Sequence, residues 1–244
     1  MHGVIRDMER RDLAASAALH ARTMPEVFVT RFGERFLRRY QLSFVESPHA
    51  LALVAHREEP VRADSSQVCG FLIAALDPPA HYRYLVKRHG IVLASLAAAH
   101  LATRPSVAAE LARTRAKRYA GALWRMARAR WQKAGSATSR AAEAPVAELV
   151  DVAVDPGVRH EGIGAELVRE CVKRAMASGA SSLELVTPPG EAGAGKFYER
   201  LGWSPVKQLE SRSGEAFVLY RRELPQPARD GLHDVGGDAT RGEA

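Results

Sequence analysis

The stretch Val150–Leu167, VDVAVDPGVRHEGIGAEL, decides how this chain is read. A strand-like run ends in a proline turn at Pro156, and Arg159, Gly162 and Gly164 then open a helix. Free N–H groups and the helix dipole make a helix N-terminus a cradle for anions. The order strand, glycine loop, helix therefore predicts a bound phosphate group, and with it a phosphorylated ligand.

The helix after the glycines is predicted to run to about Ser178, with Gly179 as its C-terminal cap. Ile163, Leu167, Val168, Cys171, Val172 and Ala175 make one apolar face. Ser182–Thr187 reads as the next strand, so residues 147–187 form a crossover unit that makes parallel neighbours. Upstream, Gly3–Asp7, Ala50–His56 and Val68–Leu76 read as strands. Helices are expected from Asp12, as a cap, to about Arg22, and from Gly33 to Val45. Downstream, a short helix over 192–201 closes at Gly202, and strands over 206–210 and 216–222 meet as a hairpin. The fold class is α/β (α+β): a mixed, mostly antiparallel sheet with helices on both faces.

About 70 residues separate Leu76 from Ala147, too long for a plain loop. Two helices are expected there, roughly Tyr84–Ala102 and Val107–Lys133, followed by a small, polar linker over 135–145. Between His81 and Lys133 twelve Lys or Arg face one acid, Glu110, which gives +11. The whole chain carries +7, so the remainder is −4: a mildly acidic domain bearing a basic helical insertion. The expected organisation is one domain over 1–224, with the insertion and linker at 77–146 and a disordered tail over 225–244. Cys69 and Cys171 are too few for a disulfide framework, and no histidine shows metal-ligand spacing, so no metal is expected. The N-terminus has no apolar run and no stretch is long enough to span a bilayer, which predicts a cytoplasmic protein.

Three kinds of phosphate loop compete. A Walker loop needs Gly-Lys-Ser/Thr, which is absent. A dinucleotide fingerprint needs a small residue where Leu167 stands, and should follow the first strand of its domain. The third kind fits: Arg159–His160–Glu161–Gly162–Ile163–Gly164 matches the Gln/Arg-x-x-Gly-x-Gly/Ala signature of acyl-CoA binding. Val152–Ala153–Val154, Pro156 and Leu167 match its context, and His160 stands where glycine is common. A second block, Phe197–Tyr198–Glu199–Arg200–Leu201–Gly202–Trp203, follows the next strand, with Ala194 ahead of it and Glu191 where asparagine is usual. In these two blocks the chain resembles the GNAT superfamily of N-acetyltransferases.

The resemblance implies acetyl-CoA as acyl donor, and a cofactor site built from Val152, Ala153, Val154, Arg159, His160, Glu161, Gly162, Ile163, Gly164, Ala165, Ala194 and Tyr198. It places Tyr198 beside the CoA sulfur, where a phenol protonates the leaving thiolate. A packing tyrosine beside Phe197 is the competing reading. It implies that the strand ending at Val154 opens away from its parallel neighbour and offers N–H groups to the oxyanion. Glu148 stands where the histone-acetylating members keep their base, and Asp151 is the other candidate on that strand. Strand alternation sends these two carboxylates to opposite faces unless a bulge intervenes.

The expected reaction is acetyl transfer to a primary amine of a small molecule, such as an aminosugar or nucleotide-linked amine. The alternatives are a protein or peptide N-acetyltransferase, and a non-catalytic acyl-CoA-binding module whose basic insertion binds membrane or nucleic acid. The expected assembly is a monomer or homodimer. The insertion is expected to flank the acceptor entrance opposite the N-terminal helices. Its arginines, with Tyr82, Tyr84, Tyr119, Trp124 and Trp131, would grip an anionic acceptor.

Overall fold

The computed structural model describes residues 4–57, 67–105, 109, 146–190, 193–210 and 216–225. Its strands are β1 (Val4–Asp7), β2 (Ala50–His56), β3 (Val68–Ala75), β4 (Val146–Val154), β5 (Ser182–Thr187), β6 (Ser204–Glu210) and β7 (Ala216–Glu223). Its helices are α1 (Leu13–Thr23), α2 (Glu34–Glu46), α3 (Pro78–Ala102), α4 (Ile163–Ala177) and α5 (Gly195–Arg200). The strands form one sheet in the order β1-β2-β3-β4-β5-β7-β6. Every pairing is antiparallel except β4 with β5, the pair joined through the glycine loop and α4.

β3 has an apolar face on each side, and all eight of its residues are buried. That is why its sequence is a continuous apolar run rather than an alternating one. One face packs Leu53, Leu72 and Leu149 against Leu167 and Cys171 of α4. The other packs Val54, Phe71 and Ile73 against Leu19 of α1 and Phe44 of α2. α4 ends as its glycine requires. Gly179 sits at φ 80°, its N–H donates to Met176 O, and the Ala180 N–H reaches back to Ala175 O at 3.1 Å.

Asp12 does not cap α1 through its side chain. It accepts two bonds from Arg6, at 2.6 and 2.8 Å, and the Glu9 N–H at 2.8 Å, and so closes a short 3-10 turn ahead of the helix. α3 begins six residues earlier than its apolar pattern indicates. Asp77 Oδ1 accepts the Ala80 N–H at 3.0 Å, and Pro78 and Pro79 occupy first-turn positions where no N–H is needed.

α3 also lies on the N-terminal helices rather than across an entrance from them. The His81 ring is 4.2 Å from that of Phe44, and a Cβ at Gly33 would lie 2.8 Å from the His100 imidazole. The second insertion helix apart from Ala109, the linker, Tyr119, Trp124, Trp131, Glu191, the 211–214 turn and the tail beyond Pro225 lie outside the described residues.

His20 and His81 are fully buried, and His20 Nε2 and both His81 ring nitrogens have no hydrogen-bond partner among the described residues. His20 stacks on Phe71 at 5.4 Å. Burial lowers each imidazole to about 4, His49 and His89 adding to the effect at His81. The unfolded chain binds these protons at the ordinary value near 6.5, so the stability is complete above that pH and is lost as pH falls toward 4. For His20 the loss at pH 4 is roughly 3 kcal/mol. Calorimetry is expected to show a melting temperature that drops between pH 6.5 and 4. The drop should be shallower in His20→Gln, whose side chain cannot titrate.

Candidate active site

β4 positions the site through two irregularities. Along β3 its register runs Ile73↔Asp151 and then Ala74↔Leu149, so Val150 is an extra residue, a β-bulge. The bulge offsets the alternation by one, and Glu148 and Asp151 come to the same side of the sheet, toward α2 and α3. The reading that sends them to opposite faces is thereby corrected by its own exception. Along β5 the pairing ends at Glu148↔Glu184, although β4 continues to Val154 and β5 to Thr187. The strands part beyond that pair. Val152, Ala153 and Val154 line the split with backbone groups that β5 does not use.

Asp151 is 8% exposed, and no hydrogen bond from a described residue reaches it. Burial, and then the charge of Glu148, push its carboxyl up to about 7. Glu148 is also raised by burial and by Glu184, against a hydrogen bond from Tyr82. That bond, Tyr82 Oη to Glu148 Oε2, is 3.0 Å long. Tyr40 of α2 feels both carboxylates and is held well above its usual value, burial being the main cause. Two coupled acids take up and release protons as a pair, one of them near neutrality, which suits general-base work at pH 7.

Tyr40 and Tyr82, the tyrosines beside this pair, are not among the site residues that the sequence predicts. Tyr40 falls inside the helix expected over 33–45, and Tyr82 is read there only as a grip for an anion. Tyr82 instead donates to a carboxylate, and the Tyr84 ring lies 5.8 Å from His89.

On the α4 side of the split, Tyr198 is 5% exposed and packs edge-on to Phe197 at 5.0 Å and Trp203 at 5.6 Å. Its hydroxyl makes no hydrogen bond with a described residue. Burial raises it well above the usual phenol value, with Asp151 adding to the effect, so it keeps its proton. Burial also pushes the Cys171 thiol up to about 12 and raises Cys69. Neither is a thiolate at neutral pH.

The glycine loop is held from both flanks. Asp155 Oδ1 accepts the Gly157 N–H at 2.9 Å, and its other oxygen meets Arg22 at 2.6 Å. Glu161 is committed to Arg57 at 2.8 Å, and the Ile163 side chain is buried in the core. Of these two residues only the backbone N–H is free to serve a ligand. Arg159 and His160 are exposed. His160 sits at φ 70° and Gly162 at φ 88°, the left-handed region that histidine tolerates far less readily than glycine. Ala194 lies before α5, its N–H donating to Thr187 Oγ1 at 3.0 Å.

Gly164 has no such backbone demand. A Cβ there would lie 3.5 Å from Val154 Cγ2 and 3.6 Å from Phe197 Cζ, which is ordinary contact. Glycine in a helix costs up to about 1 kcal/mol relative to alanine. The chain's own packing returns nothing for it, so the space suits a ligand that approaches the backbone. Gly164→Ala is expected to leave the melting temperature equal or higher while CoA affinity, read by calorimetric titration, falls about tenfold or more.

Among the described residues no group of His, Cys, Asp or Glu is placed to hold a metal ion, and no helix is long and apolar enough to cross a membrane. A surface cleft lined by Arg6, Arg11, Asp12 and His56 shares no residue with the split, and its Arg6 and Asp12 are paired with each other.

The architecture is that of known acetyltransferases. An aminoglycoside 6'-acetyltransferase type Ii matches with a TM-score of 0.52 at 16% identity, over 92% of this chain and 99% of that one. The ribosomal-protein-S18-alanine N-acetyltransferase from Escherichia coli matches at 0.53 and 13%, over 95% and 99%. A chain of the NatC complex bound to Gag peptide and CoA matches at 0.53 and 11%, over 92% and 100%. These likenesses establish the fold. No curated protein sequence matches significantly. The family model for the acetyltransferase (GNAT) family matches residues 21–203, which take in β4, the phosphate loop, α4 and Tyr198. The chain belongs to the GNAT acetyltransferase family and is an acyl-CoA-dependent N-acetyltransferase.

Proposed function

We propose that the protein moves an acetyl group from acetyl-CoA to a primary amine of a small molecule. The observation that carries this reading is the bulge at Val150, which sets Glu148 and Asp151 together beside the split in the sheet. The donor's pyrophosphate rests on the N–H groups of residues 160–165, with Arg159 as its charged partner. Its thioester carbonyl enters the split and accepts hydrogen bonds from backbone N–H groups within Val152–Val154, which act as preorganised donors for the oxyanion.

The amine loses a proton to the Glu148–Asp151 pair. Its nitrogen lone pair forms the new C–N bond, the C–S bond then breaks, the thiolate takes the Tyr198 proton, and exchange through solvent returns the amine's proton from the acid pair to the phenolate. Both thiols of the chain stay protonated, which favours direct attack over a cysteine-bound intermediate.

An acceptor side with two carboxylates and the Tyr40 and Tyr82 rings suits a cationic amine such as an aminosugar better than an anionic nucleotide-linked one. Tyr82, on the insertion helix beside Glu148, narrows the space that an extended peptide would need. The test is mass spectrometry of a panel incubated with acetyl-CoA, containing aminosugars, diamines, nucleotide-linked amines and peptides. Acetylated small amines are expected. Products confined to the peptides would overturn the small-molecule reading.

A further inference from the structure

We infer that Tyr82, a residue of the helical insertion, is a positioning residue of the transfer site and acts through Glu148. The inference rests on reading Glu148 and Asp151 as the proton-accepting pair.

Among the described residues, four groups face the Glu148 carboxyl. Asp151 lies beyond the bulge on its own strand, Glu184 is its register partner on β5, Tyr40 comes from α2, and Tyr82 comes from α3. Asp151 and Glu184 are acids that repel its charge. Glu184 is itself paired with Arg221 of β7, whose Nε lies 2.8 Å away. Tyr82 Oη, at 3.0 Å, is the group among the described residues that donates a hydrogen bond to Glu148. Tyr82 is 38% exposed, so the contact sits at the rim of the acceptor side.

Two neighbouring carboxylates cannot both ionise freely, and a donor fixed on one decides where the charge rests. Held by Tyr82, Glu148 keeps the negative charge, and Asp151 becomes the partner that gains and loses a proton. The turn carrying Tyr82 is built with care. Asp77 caps it, Pro78 and Pro79 start it, and His81 pins it against Phe44. The insertion therefore supplies part of the transfer machinery and does more than border it.

Tyr82→Phe keeps the ring and removes the donor, and retained CoA affinity reports an intact fold. The readout is the pH profile of kcat/KM. Without the donor the doubly ionised pair is harder to reach, so the acid limb is expected to move up by about one pH unit. Activity at pH 6 should fall about tenfold, while the plateau at high pH stays near that of the parent. In a Glu148→Gln background the same substitution should shift nothing further.

An unmoved limb in Tyr82→Phe overturns the inference, and so does an equal shift in both backgrounds. The underlying reading fails separately, if Glu148→Gln and Asp151→Asn both retain the parent profile.

Discussion

Asp151→Asn is expected to lower kcat about 10²- to 10³-fold, within the range of about 10²- to 10⁴-fold that a positioned general base supplies. Asparagine keeps the size of the side chain and cannot accept the amine's proton. In the parent, kcat/KM should rise with pH through about 7, the value to which burial and Glu148 push the Asp151 carboxyl. That limb should stay at the same pH for acceptors of different basicity, because it belongs to the enzyme. In Asp151→Asn it should disappear.

The same substitution has an opposite effect on stability. The folded carboxyl binds its proton more tightly than the unfolded one, so its favourable contribution is complete below the ordinary value near 3.8. It is lost as pH rises through about 7. Above neutrality Asp151 therefore costs the fold up to about 4 kcal/mol. Asp151→Asn should melt at a higher temperature than the parent at pH 8, and the two should converge at acid pH. A variant more stable and nearly inactive is the signature of a strained catalytic group. A variant less stable and inactive points to a structural role.

Tyr198→Phe is expected to reduce kcat about 100-fold with CoA affinity almost unchanged, since it deletes one proton donor and keeps the packing surface. The ring contacts with Phe197 and Trp203 do not involve the hydroxyl. The phenol is raised above its usual value, so no basic limb from its ionisation should intrude up to about pH 10. Steady-state rates and calorimetric CoA titration on the same preparation separate the two effects. A proportional loss of CoA affinity would show that Tyr198 shapes the pocket and does not serve the leaving group.

Much of the frame was legible because local rules govern it. β2 and β5 were readable to the residue, β2 as a short apolar run and β5 as Leu183, Leu185 and Val186 stopped by Pro188–Pro189. The turn and helix start over 156–164 were readable because Pro156 and the glycines mark them, and the short helix carrying Tyr198 because Gly202 closes it. The acceptor side was not. The bulge at Val150 depends on how many residues β3 presents opposite it, and β4 alone does not contain that count. The bond from Tyr82 to Glu148 joins residues 66 apart in sequence. The early start of α3 did have a signal, Asp77–Pro78–Pro79, which outweighs the apolar periodicity that begins later.

The most direct test of the central claim is a crystal structure of the protein with CoA. The expected result puts the pyrophosphate on the N–H groups of Gly162–Gly164 and the sulfur within hydrogen-bond reach of Tyr198 Oη. The Asp151 carboxylate should face the sulfur across the split between β4 and β5. Pantetheine running elsewhere, with its sulfur remote from Tyr198 and the split closed, would contradict the account.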